Sequence, residues 1–173
     1  FTHKALKMPT TVVELNPQVV EVGRAWFHLP AEVEVVLADA GRWLRERAQA
    51  QSVRLLHVDL YDHEAAAPVL DSEAFYADCR RVLDDDGVFS VNLFGRHASF
   101  DDSAARIAAA FGADRVWSLQ PTREGNTVVV ATRSLPLPSH DELLARAATI
   151  EQRFGAFGLA ARKWPRMLRP DLR

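Results

Sequence analysis

Cysteine is almost absent from this sequence, Cys79 being the only one. A single thiol forms no internal disulfide and no cysteine-based zinc site, which suits a reducing compartment. Long hydrophobic runs are missing too: no apolar stretch approaches the ~20 residues of a membrane-spanning helix. No basic-then-apolar leader opens the chain. The expectation is a cytoplasmic protein with no membrane partner, unless a targeting segment lies outside Phe1–Arg173. A charge excess is likewise lacking, since 21 Lys and Arg face 23 Asp and Glu for a formal charge of −2. Nothing in that balance calls for nucleic acid as the main partner. Internal repeats and low-complexity tracts are also absent.

What is present is an alternation of strand and helix signals over 173 residues, enough for one domain with a full core. Thr10–Leu15 is β-branched and apolar and reads as a strand. Asn16 and Pro17 supply an N-cap and a first-turn proline. Val19, Val22, Trp26 and Phe27 then recur at helical spacing, which puts Trp26 and Phe27 in the core of a helix ending near His28–Pro30. Val33–Ala38 is the next strand and delivers Asp39 at its end. Gly41–Ala50 reads as a helix with Trp43, Leu44, Arg47 and Ala48 on one face.

Val53–Leu60 organises the rest. Five of its eight residues are apolar, and Asp59 stands at its carboxyl end, with Asp62 three residues on. A short apolar run ending in acid reads as a buried parallel strand. In open α/β sheets, ligands bind outside the carboxyl ends of such strands. His57, inside this strand, is expected to be half-buried and satisfied. His63–Val69 is a loop. Asp71 or Ser72 then caps a helix with Phe75, Cys79, Val82 and Leu83 inward. Asp84–Gly87 reads as a turn and Val88–Phe94 as a strand.

After the loop Gly95–Phe100, a helix carries Phe100, Ala104, Ile107 and Phe111, with Gly112 past its end. Arg115–Leu119 and Thr127–Thr132 look like an antiparallel pair closing one edge of the sheet. Pro136 and Pro138 break the chain. Ser139 and Glu142 form a capping box for a last helix carried by Leu143, Ala147, Ile150 and Phe154. The tail with Arg162, Lys163, Arg166, Arg169 and Arg173 reads as irregular, either a solvated end or a subunit contact. The alternation predicts an α/β fold, a Rossmann-like doubly wound and mostly parallel sheet with a C-terminal antiparallel strand pair.

Glu14-Leu15-Asn16-Pro17, Asp39-Ala40, Asp59-Leu60-Tyr61-Asp62, Leu70 to Tyr76, Leu83 to Gly87 and Gly125-Asn126-Thr127 follow one another in an order and spacing that resemble spermidine synthase and its bacterial relatives. These are the aminopropyltransferase branch of the S-adenosylmethionine-dependent methyltransferase fold. The resemblance covers roughly residues 11–132 and implies roles at the matching positions. Glu14 would accept hydrogen bonds from ribose hydroxyls. Asp39 would meet the adenine amino group, with Ala40 beside the ring. Asp59 would hold and deprotonate the attacking amine at the edge of the cofactor site, and Asp62 would lie near the aminopropyl group. Tyr61, between the acids, is open to two roles, lining the amine channel or packing across the strands.

The implied reaction moves an aminopropyl group from decarboxylated S-adenosylmethionine to a polyamine such as putrescine, with no metal. Small-molecule polyamine and nucleoside substrates, a homodimer and a cytoplasmic location come with the resemblance. Carboxylates suit this chemistry, because donor and acceptor are both cations and a proton must leave before nitrogen attacks carbon. Residues 1–138 would form the nucleoside-binding catalytic domain, with 139–173 packed on it.

Each residue also has a plainer role open to it. Asp59 and Asp62 are good loop caps. Asn16 is explained by capping alone, and Asp39 equally by capping the next helix.

Two departures from the family's pattern keep other functions in play. After Asp62 the family runs Pro-x-Gly-Pro, whereas this chain has His63-Glu64-Ala65-Ala66. A β-hairpin domain and a first strand with a glycine-rich loop precede the Glu14 motif in the family and do not appear here. The alternatives are an S-adenosylmethionine-dependent methyltransferase-like enzyme with another acceptor, and a degenerate, non-catalytic assembly domain. In that fold the first strand lies between Thr11–Leu15 and Val53–Leu60. The expectation is therefore a fragment of a larger protein in which preceding residues or another chain fill the gap, or else direct pairing of the two flanking strands.

Overall fold

The computed structural model describes residues 2–61, 68–94 and 98–169. β1 (Thr11–Glu14) leads through α1 (Pro17–Trp26) to β2 (Glu34–Leu37), and the strands pair in parallel with Glu14 opposite Leu37. α2 (Ala40–Glu46) leads to β3 (Val53–Val58). A 3₁₀ turn at Pro68–Asp71 and α3 (Glu73–Val82) then lead to β4 (Leu83–Phe94), parallel to β3. α4 (Ala98–Phe111), β5 (Val116–Leu119), β6 (Asn126–Thr132), α5 (His140–Phe154) and β7 (Leu168–Arg169) complete the described order. The fold is α/β, with parallel β-α-β units first and antiparallel strands last. Among the described residues no helix is long and apolar enough to cross a membrane.

The strands form two sheets. β1 and β2 make one, and the other runs β3-β4-β6-β5-β7. The antiparallel pair is present, with β6 rather than β5 against β4. No ladder joins β1 to β3 among the described residues, so direct pairing across the anticipated gap is not observed.

Helix starts follow the capping signals. Asn16 Oδ1 accepts from Gln18 N at 2.9 Å, Asp39 Oδ1 from Arg42 N at 2.7 Å, and Ser72 and Ser139 Oγ from Phe75 N and Glu142 N, each at 3.3 Å. Such caps satisfy amides that the helix leaves unpaired, each contributing about 1 kcal/mol. The core lies where α3 and α4 cover the five-stranded sheet. Phe75, Tyr76, Cys79 and Val82 meet Phe89, Val91, Leu93, Ile107 and Phe111 there. Phe89 stacks on Phe111 at 5.1 Å and meets Tyr76 edge-on at 6.2 Å. Along β4, buried Phe89, Val91 and Leu93 alternate with half-buried Ser90 and Asn92, the period of a strand with one covered face.

Several expectations are corrected. Trp26 and Phe27 are 77% and 78% exposed, and α1 has no buried residue. Helical spacing says which residues share a face, not whether a second layer covers it. Ile150 is exposed for the same reason. His57 is exposed rather than half-buried, with Nδ1 2.7 Å from Ser90 Oγ.

Asp84–Gly87 does not reverse the chain. β4 advances from Leu83 to Val88 while β3 advances only from Val53 to Leu55, so the segment is a bulge within one strand. Arg54 ties it down, reaching Asp84 and Asp86 at 3.1 Å each. A Cβ on Gly87 would lie 2.7 Å from Leu83 Cβ, so the bulge closes only over glycine. α2 stops at Glu46, short of Ala50. The described part of the tail is not irregular: Ala161 and Pro165 are buried in short 3₁₀ turns, and β7 pairs with β5.

Candidate functional site

Three acids stand at carboxyl ends of parallel strands. Glu14 is the last residue of β1, Asp39 follows β2 by two, and Asp59 follows β3 by one. Pairing brings the first two together, because Glu14 lies opposite Leu37 and its carbonyl accepts from Ala38 N at 3.1 Å. Each spends one carboxylate oxygen on local backbone. Glu14 Oε1 accepts from Asn16 N at 2.8 Å, and Asp39 Oδ1 caps α2. The second oxygen of each has no partner among the described residues, so both remain acceptors for hydroxyl or amino groups. Ala40, half-buried, opens α2 beside Asp39. Asp39 is thus a cap, and that role leaves its other oxygen available.

Asp59 sits in a denser setting. Asn92 Nδ2 donates to Asp59 Oδ1 at 3.1 Å, and the Tyr61 hydroxyl donates to the Asn92 carbonyl at 2.6 Å. The Tyr61 phenol is a donor at neutral pH, and burial, and then the negative charge of Asp59, push it above its ordinary value. One step back, His57 and Ser90 make the same cross-strand pairing. His57, Asp59, Ser90 and Asn92 therefore form a polar ladder on one face of β3 and β4, opposite the packed face. Sequence reasoning missed Asn92 and Ser90. Their signal was the alternation of polar Ser90 and Asn92 with apolar Phe89, Val91 and Leu93.

Glu14 and Asp39 belong to the two-stranded sheet and Asp59 to the five-stranded one. Asp62 lies outside the described residues. A cavity of about 480 Å³ between residues 2–4, β1 and α1 is lined by Val12, Glu14, Val19, Gly23, Phe27 and neighbours. Of the three strand-end acids, Glu14 lines it and Asp39 and Asp59 do not.

No family model matches the chain. A polyamine aminopropyltransferase of Chromobacterium violaceum is 33% identical over 150 residues, 84% of this chain and 56% of that protein. One from Neisseria meningitidis is 32% identical over 149 residues with the same coverage, 84% and 56%. The chain spans little more than half the length of these curated relatives. Among solved structures, a spermidine synthase in complex with the transition-state analogue AdoDATO superposes with TM-score 0.61 at 21% identity, over 73% of this chain and 47% of that one. A probable spermidine synthase of Corynebacterium glutamicum gives 0.62 at 21%, over 83% and 53%. Human methyltransferase-like protein 13 in complex with SAH gives 0.72 at 20%, over 89% and 75%. These structural likenesses speak for the fold, and the sequence likeness for descent. The chain is a homologue of the polyamine aminopropyltransferases, built on the fold that spermidine synthases share with S-adenosylmethionine-dependent methyltransferases.

Proposed function

We propose that this chain carries the nucleoside- and amine-handling residues of an aminopropyltransferase, taking decarboxylated S-adenosylmethionine as donor and a polyamine such as putrescine as acceptor. The observation that carries the reading is Asp59, held by Asn92 at the carboxyl end of β3, in a chain related to enzymes of that name. Glu14 and Asp39 suit the nucleoside: a carboxylate accepts from both hydroxyls of a ribose, and another from an exocyclic amino group. No cationic side chain is needed on this side of the site, since donor and acceptor bring the positive charge. Asp62 would add a second carboxylate for the same cations.

In this reading the acceptor arrives as an ammonium and Asp59 takes its proton. The freed nitrogen lone pair attacks the aminopropyl carbon attached to the sulfonium. A C–N bond forms, the C–S bond breaks with its electrons going to sulfur, and neutral methylthioadenosine leaves. The residues supply positioning and charge; the sulfonium is already a good leaving group. The reading includes a homodimer in the cytoplasm, with residues 139–173 packed on the catalytic domain.

The test is steady-state kinetics of the natural full-length protein with decarboxylated S-adenosylmethionine and putrescine. Asp59→Asn keeps the shape of the side chain and removes the base. Turnover is expected to fall by roughly 10²–10⁴-fold, the usual share of general-base catalysis. Affinity for methylthioadenosine should hold. Wild-type turnover in this variant would end the assignment and leave Asp59 a loop cap. A second reading, methyl transfer to another acceptor, is favoured by the human methyltransferase-like neighbour, which the chain covers more fully than the spermidine synthases. Calorimetry separates the two, because that reading requires S-adenosylmethionine to bind more tightly than its decarboxylated form.

A further inference from the structure

Asp59 lies just beyond the end of the β3 ladder, whose last pair is Val58 with Val91. Nothing in strand geometry alone fixes the carboxylate plane of a residue at that point. The next residue on the neighbouring strand is Asn92, and β4 there is paired on its other side with β6, Asn92 opposite Val128. Asn92 is therefore carried by a strand that pairs with β3 as far as Val91 and with β6 through Phe94.

We infer that Asn92 is the positioning residue for Asp59, an inference that rests on the aminopropyl-transfer reading. Its side-chain amide donates to Asp59 Oδ1 at 3.1 Å, and its backbone carbonyl accepts the Tyr61 hydroxyl at 2.6 Å. The loop leaving β3 is thus tied twice to one residue, on either side of Leu60. With Oδ1 occupied, Oδ2 is the oxygen left to face an amine. The Tyr61 tie holds at neutral pH, where a phenol is protonated in any case, and burial and then the Asp59 charge shift it further the same way.

The residue type matters. A neutral amide donates to a carboxylate without cancelling its charge. Lysine or arginine at position 92 would compete with the incoming ammonium, and aspartate would repel Asp59. Leucine would keep the volume and leave Oδ1 without its donor.

The experiment uses the natural full-length protein with Asn92→Leu, Asn92→Gln and Asp59→Asn. In Asn92→Leu, kcat for transfer from decarboxylated S-adenosylmethionine to putrescine is expected to fall by roughly 10–10²-fold, the scale of a misplaced catalytic group. Methylthioadenosine affinity should be unchanged. Asn92→Gln keeps the donor on a longer stem and should recover part of the loss, which a purely structural defect would not do. Full kcat in Asn92→Leu, beside a slow Asp59→Asn, overturns the inference and leaves the aminopropyl-transfer reading standing. If the wild type transfers no aminopropyl group, that reading fails, and NMR still decides the positioning. The Asn92 side-chain amide protons should shift with pH in the wild type and lose that response in Asp59→Asn. Amide protons indifferent to pH in the wild type overturn the inference whatever the activity.

Discussion

The β1–α1–β2 unit and the β3–β7 sheet are built from similar materials and end in different states. Both have apolar strands, a capped helix and parallel pairing. In the sheet, α3 buries Phe75, Tyr76, Cys79 and Val82, and β4 buries every second residue from Gly87 to Leu93. In the N-terminal unit α1 buries nothing, while Leu15, Val19, Val22, Trp26, Phe27 and Leu37 all face solvent. Apolar content does not decide this difference. Burial needs a second layer, and each large side chain that finds one gains about 1.5–3 kcal/mol. The candidate site divides along the same line. Glu14 and Asp39, the acids suited to a nucleoside, stand on the under-covered unit. Asp59 and its clamp stand on the well-packed one.

The largest expected effect tests the packed side. Phe89 is fully buried between Phe111 and Tyr76. Phe89→Ala removes a ring from a close-packed layer and should destabilise the chain by about 3–5 kcal/mol in urea unfolding. Trp26→Ala removes a larger ring from an exposed helix face and should change stability by no more than ~0.5 kcal/mol. Equal losses in the two variants would break the comparison. They would mean that α1 packs against something in solution that covers Trp26.

A smaller effect separates binding from stability on the under-covered unit. Glu14→Ala should weaken methylthioadenosine binding by about 1.5–3 kcal/mol, the range for a hydrogen bond to a charged group. Calorimetry measures this in the full-length protein. Unfolding should barely move, because among the described residues the Glu14 side chain makes only the local bond to Asn16 N. Asp39→Ala makes the contrast, since Asp39 also caps α2; it should lose affinity and about 1 kcal/mol of stability together. Unchanged affinity in Glu14→Ala removes that residue from the site.

The pattern of what could be read from the sequence has the same physical origin. Signals internal to one element were legible. The caps at Asn16, Ser72 and Ser139 and the α3 face depend on neighbours along the chain. Signals that depend on a partner across space were not. The helical spacing of Trp26 and Phe27 is real, yet burial required a layer that the described residues do not provide. Asp84-Asp85-Asp86-Gly87 carries every mark of a turn. The ladders before and after it hold the strand direction, and Arg54 from β3 fastens the excess as a bulge. Asn92 acquires its meaning only when parallel pairing sets it beside Asp59. The acids at strand ends were legible because strand polarity alone places them; what holds Asp59 was not.

The smallest expected effect is a pH dependence that belongs to the packed side alone. Cys79 is completely buried on α3, and burial, followed by the charge of Asp78, raises its thiol far above the ordinary range. In the unfolded chain the thiol loses its proton near pH ~8.5, whereas the folded chain keeps it. Above that point the unfolded state binds fewer protons, so stability falls as pH rises; below it the contribution is complete. The loss should reach ~0.8 kcal/mol at about pH 9. Cys79→Ala carries a constant packing cost, and its stability should lack this share of the pH dependence. Urea unfolding of both proteins at pH 7 and 9 measures the difference. A thiol reagent gives the independent readout: modification of the native chain should proceed only through opening of the α3 layer, and should therefore slow when that layer is stabilised. Rapid modification of the folded protein at neutral pH would show that α3 is as open as α1, and the contrast between the two regions would be lost.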